Sequence, residues 1–177
     1  TLGGIYWQQG NLSQAIVHVE RSLNLYRKLR YTFGMANAHT NLGILFYTLG
    51  RWREAAESFA QSDVLRRESG YVTGQALNLK NLGQLHRSMG DHTQASRDLE
   101  RSLAISRRLG DNFLVVCAEL ELGTVAAIQA RWDEASSHLA VAQELASSAG
   151  DDEAIQARWL EAYLRGGKGD ISGALTA

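Results

Sequence analysis

The stretch TNLGILFYTLGRWREAAESF, Thr40 to Phe59, decides the fold, because its skeleton is written again as KNLGQLHRSMGDHTQASRDL, Lys80 to Leu99. Leu42, Gly43, Gly50, Ala55 and Phe59 reappear 40 residues later as Leu82, Gly83, Gly90, Ala95 and Leu99. A skeleton repeated at a fixed period marks an array of like units.

Outward from this pair the register continues. Leu-Gly stands also at Leu2-Gly3 and at Leu122-Gly123, and the alanine also at Ala15 and Ala135. A fifth copy runs one residue early, with Ala162 in the glycine slot and Ala174 in the alanine slot. A large or ring-bearing side chain precedes each alanine by three: Leu12, Trp52, His92, Trp132 and Ile171. Glycines divide every unit in two. One set is Gly10, Gly50, Gly90 and Gly169, with Ala130 departing; the other is Gly70, Gly110 and Gly150, with Arg30 departing. Glycine just past a helix accepts the left-handed conformation that stops it. Between glycines the apolar residues step by three and four, as in Leu12, Ala15, Ile16, Val19, Leu23 and Tyr26, which share one helix face. The pattern predicts helices near 32–49, 52–69, 72–89, 92–109, 113–130 and 132–149, with partial pairs at 1–29 and 152–177. The glycine after leucine and the alanine opposite it let paired helices approach closely. A pair cannot bury its apolar face alone, so stacked copies are expected to share a core.

These residues resemble the tetratricopeptide repeat. Repeat two carries the family's leucine, glycine, two aromatics and alanine as Leu42, Gly43, Phe46, Phe59 and Ala55. Repeat one matches at Leu2, Gly3, Tyr6 and Ala15, with Val19 in the last slot. His86 and Ala126 replace the first aromatic in repeats three and four, and the family's frequent proline is absent. The family period is usually 34 residues; here it is 40, so each helix is expected to be longer. The resemblance implies an all-α fold, a right-handed superhelix of antiparallel helix pairs. It covers residues 1–177 as a single array, with repeats at about 1–30, 31–70, 71–110, 111–150 and 151–177. The longer-period version is similar to arrays in bacterial signal-transduction ATPase and transcription regulators and in polarity and motor adaptors. A chain that begins and ends within a repeat reads as a fragment of a larger protein.

Bulk numbers bound the function. The net charge of −1 over 177 residues gives no electrostatic footprint for nucleic acid or an anionic membrane. Cys117 is the one cysteine, so no internal disulfide forms, which fits a reducing, cytoplasmic setting. No apolar run approaches the ~20 residues that span a bilayer. The absence of proline accords with long helices and short glycine turns.

In this family the first helix of each pair lines a concave groove, and the resemblance carries that role onto named positions. Repeat two offers Asn37, Thr40, Asn41, Ile44 and Tyr47. Repeat three offers Leu77, Lys80, Asn81, Gln84 and Arg87. Repeat four offers Cys117, Leu120, Thr124, Ala127 and Ile128, and the last offers Gln156, Trp159 and Tyr163. Asn41 and Asn81 hold equivalent slots before Leu-Gly. An amide both donates and accepts, so the two suit a ladder along an extended peptide backbone. The other reading is that they bond neighbouring helices or water; Glu121 interrupts the ladder in repeat four. Lys80 and Arg87 lie two turns apart on one face and suit a carboxylate, or form a solvated cationic pair.

No catalytic or metal constellation emerges. His18, His39, His86, His92 and His138 form no metal spacing with one another or with Cys117. His86 and His92 read as packing residues and Cys117 as a plain thiol. Glu119 and Glu121 read as solvated helix residues, Asp151 and Asp152 as charge at a helix N-terminus. GGKGD, Gly166 to Asp170, lacks phosphate-loop spacing and reads as a helix break. RWR, RRES and SRRLG read as solvated faces. Trp52 and Trp132 share a repeat position and read as interhelix packing. The sequence therefore points to a non-enzymatic module, without cofactor, that binds a protein or peptide in the groove. The alternatives are a regulatory arm, binding an effector or its own catalytic domain, and a spacer or self-association surface.

Overall fold

Glycines in the left-handed region punctuate the chain where the repeat pattern puts them. In the computed structural model, which describes residues 2–145 and 151–167, Gly10, Gly50, Gly70, Gly90 and Gly110 all have φ between 66° and 81°. The two departures keep the same geometry: Arg30 has φ 51° and Ala130 φ 58°. The backbone closes each turn alike. The Gly50 N–H donates to the Tyr47 carbonyl at 2.9 Å and the Arg51 N–H to the Phe46 carbonyl at 2.8 Å. At Ala130 the corresponding bonds are to Ala127 at 3.0 Å and from Arg131 to Ala126 at 2.9 Å. This paired closure satisfies carbonyls that a helix end leaves open.

Between the turns lie, among the described residues, α1 (Leu2–Gln8), α2 (Leu12–Lys28), α3 (Thr32–Thr48), α4 (Trp52–Ser69), α5 (Val72–Ser88), α6 (His92–Leu109), α7 (Asn112–Ile128), α8 (Trp132–Glu144) and α9 (Asp151–Gly167). No strand occurs among them. The expected spans agree within two residues at most described ends, but α8, expected over 132–149, ends at Glu144 with Leu145 as its cap. Gly166 and Gly167 continue α9 rather than break it. Gly150, Lys168, Gly169, Asp170, Ile171 and Ala174, on which parts of the repeat reading rest, lie outside the described residues.

The chain forms two compact units, residues 1–85 and 86–177. In the first, α1 packs on α2, α2 on α3 and α3 on α4. Its core holds Ala15, Ile16, Leu42, Leu45, Phe46, Ala55 and Phe59. The repeat signature explains the closeness of α3 and α4. A Cβ built on Gly43 would stand 2.5 Å from the Phe59 ring, so any side chain there overpacks the contact. Ala55 is fully buried beside it. A second small position recurs on the first helices: Gly34 and Gly74, 40 apart, are both buried, against Tyr26 and Tyr31 and against Tyr71 and Arg66 respectively.

In the second unit α7 is the central helix, packed by α6, α8 and α9. It is buried on nearly every side from Leu114 to Ala127, its two glutamates, Glu119 and Glu121, included. Leu122, Ala95 and Leu99 share one core cluster, and Ala135, Leu139 and Leu160 another. Gly123 again permits the approach: its added Cβ would meet Leu160 at 2.8 Å and the His138 Cβ at 3.3 Å. Gly83 and Gly90 keep their expected places, one buried in α5 and one in the turn after it, while Leu82 is only partly buried.

Candidate functional sites

Two hollows gather many of the residues singled out above. In the first unit, α2 and α3 border a cavity of about 430 Å³. Asn37, Thr40, Asn41 and Ile44 reach it from α3, and His18, Ser22 and Tyr26 from α2. The α2 residues were not anticipated. Tyr26 had been counted only towards the apolar face of its helix.

Arg66 of α4 also lines this cavity, although only 2% of it is exposed. Its Nε donates to Ser62 Oγ at 3.0 Å, and its Nη2 to Asn37 Oδ1 and Thr40 Oγ1, each at 3.0 Å. Thr40 Oγ1 lies a further 2.8 Å from Ser62 Oγ. The guanidinium carbon lies 5.5 Å from the centre of the Tyr71 ring. Burial pushes the guanidinium below its ordinary value, against the raising pull of Tyr71 and Asp63. The solvated reading of RRES is therefore corrected at Arg66. Gly74 makes the burial possible, since a side chain there would overlap Arg66 Nη1. The recurrence of Gly34 as Gly74 was the sequence signal for a crowded site at that point.

The paired asparagines differ. Asn41 is exposed at the cavity, whereas Asn81 is 6% exposed with its Nδ2 unpartnered. Tyr47 is half-buried, and Lys80 donates to Gln84 at 3.5 Å.

In the second unit Thr124, Ile128, Trp159 and Tyr163 line one cleft of about 320 Å³, with Gln156 and Leu160 at its wall. The walls are almost wholly apolar. Trp159 is 75% exposed, and Tyr163 and Ile128 about half. Trp132 braces Tyr163 from α8, ring centre to ring centre 5.9 Å. Gln156 is held from behind, its Nε2 donating to Glu121 Oε1 at 2.9 Å. Leu120 and Cys117, expected on the groove, are buried; the Cys117 thiol lies 3.5 Å from Glu153 Oε1.

The second unit also corrects the reading of its acids. Glu119 and Glu121 are 1% and 2% exposed. Glu119 accepts from Arg107 Nη2 at 2.6 Å and lies 2.6 Å from His138 Nδ1. Glu121 accepts from Arg87 Nε at 3.1 Å. A buried carboxylate needs such partners, because its desolvation is otherwise uncompensated. Arg87 is thus occupied within its own unit rather than held ready with Lys80. His86 does more than pack, with Nδ1 2.9 Å from Asp98 Oδ2. Among the described residues His, Cys, Asp and Glu form no group of three or more that could hold a metal ion.

The sequence profile of the tetratricopeptide repeat matches residues 1–62 and 72–148. The chain belongs to the tetratricopeptide repeat family. No curated protein matches it. Among solved structures it is similar to the apo form of RapI, at 18% identity and TM-score 0.85, over 98% of this chain and 65% of that one. It is similar also to BtubC (BKLC) from P. vanneervenii, at 17% identity and TM-score 0.83, over 99% and 73%. A third is the set of kinesin light chain TPR-like repeats from Podosopora anserina, at 16% and 0.77, over 99% and 87%. The chain spans about two thirds of the length of RapI, 65%. At these identities the likeness fixes the fold, the all-α solenoid of antiparallel helix pairs. Tetratricopeptide repeats generally mediate protein–protein interaction and are generally non-enzymatic. No described helix of this repeat protein is long and apolar enough to cross a membrane.

Proposed function

We propose that the chain is a non-enzymatic interaction module, one array over residues 1–177, that grips a segment of a partner protein. The observation that carries this is the cleft between α7 and α9, where Thr124, Ile128, Trp159 and Tyr163 meet. A tryptophan left largely in water beside an apolar hollow suits an apolar or aromatic side chain of an extended peptide. Gln156 at the wall supplies an amide for the peptide backbone. Asn41, exposed on the first unit, serves the same purpose there, whereas the buried Asn81 does not reach a peptide. With Cys117 as the one cysteine, a reducing, cytoplasmic setting is the reading that fits.

The test is a peptide-display screen on the parent, on Trp159→Ala and on Asn41→Ala. Both positions are exposed, so the helices should stay intact. Peptides enriched on the parent and lost on folded Trp159→Ala support the cleft. Equal enrichment on both would remove it as the binding surface.

The 40-residue period, which resembles that of arrays in signalling regulators, supports a second reading, a regulatory arm of a signalling ATPase or transcription regulator that binds an effector or its own catalytic domain. A nucleotide-binding or DNA-binding domain adjoining this array in its gene would support it.

A further inference from the structure

We infer that the turn edge of the first unit is a docking surface for a proline-rich segment of a partner protein, extended and acidic at one end. The inference does not rest on the α7–α9 cleft. Its basis is a run of neighbouring aromatic rings. Tyr26 meets Tyr31 edge to face, ring centres 5.6 Å apart, Tyr31 meets Phe33 at 6.1 Å, and Phe33 meets Tyr71 at 5.1 Å. Tyr26 is the half-buried root, while Tyr31, Phe33 and Tyr71 are 38% to 49% exposed. The run is written into the register. Tyr31 recurs as Tyr71 and Gly34 as Gly74, and each glycine leaves the room in which its tyrosine lies against the helix. The same slots hold Asp111 and Leu114 in the next copy, so the run stops there.

Charge selects the occupant. Arg27, Lys28 and Arg30, all exposed, stand in the last turn of α2 and in the turn that leads into Tyr31. Among the described residues the ion pairs of this unit are Arg51–Glu54, Arg53–Glu57 and Arg67–Asp63, which leaves these three cations without an acid. Arg27 is hydrogen-bonded to the neutral Asn24. Residues 1–85 carry nine of the 18 Lys and Arg but only five of the 19 Asp and Glu, so the unit draws acidic groups. Towards Tyr71 the slot of Lys28 holds Glu68, so the field has a direction, and the acidic end of the segment lies beside Tyr31. Proline follows from the rings. A polyproline helix makes no internal hydrogen bonds and docks on exposed aromatics. Two of its residues advance about 6 Å, close to one step of the run. The Tyr31 and Tyr71 hydroxyls can donate to its open carbonyls.

The probe is a synthetic polyproline peptide led by aspartates, titrated into the whole chain by calorimetry. One control replaces its aspartates by lysines and another its prolines by alanines. The probe should bind, and each control should bind on the order of tenfold more weakly. Phe33→Ala removes the central exposed ring and should weaken binding by on the order of tenfold with the helical signal unchanged. Lys28→Glu gives this slot the residue type that Glu68 already supplies in the next copy, so the helix keeps its shape. It should weaken binding by about threefold at low salt and have no effect at high salt. No binding of the probe, equal binding of either control, or full affinity in folded Phe33→Ala overturns the assignment. So does binding of a single-stranded oligonucleotide in place of the peptide, which would mean that the rings stack bases.

Discussion

Among the described residues, the buried charge of residues 1–85 is a cation among neutral partners, and that of residues 86–177 is three carboxylates, Asp98, Glu119 and Glu121, met by arginines, histidines and amides. Arg66 leans on Ser62, Asn37 and Thr40, whereas Glu119 is met by Arg107 and His138, and Glu121 by Arg87 and Gln156. Yet the skeleton beneath is the same. Gly43 with Ala55 and Gly123 with Ala135 bring a helix pair together in each unit. The repeat thus fixes the helix packing and leaves the polar interior free to vary. One register slot makes this plain: it holds His39 in the first unit and Glu119 in the second, and Asn41 and Asn81 give way to Glu121 two residues on.

The common skeleton can be broken unequally. Gly43→Ala drives a methyl into the rigid Phe59 ring and should cost roughly 1–3 kcal/mol. Gly123→Ala meets a Leu160 methyl that can turn aside, so its cost should be smaller. Urea unfolding of the two variants compares them, and an equal loss would mean that the aromatic does not set the tolerance. The turns should respond alike. Arg30→Gly and Ala130→Gly each relieve a left-handed side-chain-bearing residue and should stabilise by about 0.5–1 kcal/mol. Destabilisation in either would show that the side chain matters more than the backbone.

The smallest effect concerns the slot shared by His39 and Glu119. Burial, and then the charge of Arg27, hold His39 below its ordinary value of 6.5. The unfolded chain therefore binds the extra proton. The contribution of His39 is complete above about 6.5 and is lost as pH falls from there towards the lower folded value. His39→Gln should flatten the decline in unfolding midpoint between about pH 7 and pH 5. An unaltered slope would assign that decline to other groups.

Helix spans, turns and the close glycine–alanine approach were legible because they obey a period. Even Ala130 and Arg30 could be located as turn residues by register, although neither is a residue that prefers φ above zero. Thr124, Ile128, Trp159 and Tyr163 were legible for the same reason, as first-helix positions one turn apart. The buried charges were not. Nothing in the spacing of Glu119, Glu121 or Arg66 distinguishes them from solvated charges on a helix. Their burial depends on partners 12 to 34 residues away, such as Arg107 for Glu119, Asn37 for Arg66 and Arg87 for Glu121. Periodicity records which face a residue occupies, but not what the neighbouring helix presents to it.

Gly74 carries a consequence of another kind. The space it leaves is the space that Arg66 Nη1 occupies, so the two positions cannot be varied independently. A side chain at 74 is accommodated only if the guanidinium leaves its partners Ser62, Asn37 and Thr40, so the effect of a change at one position depends on what stands at the other.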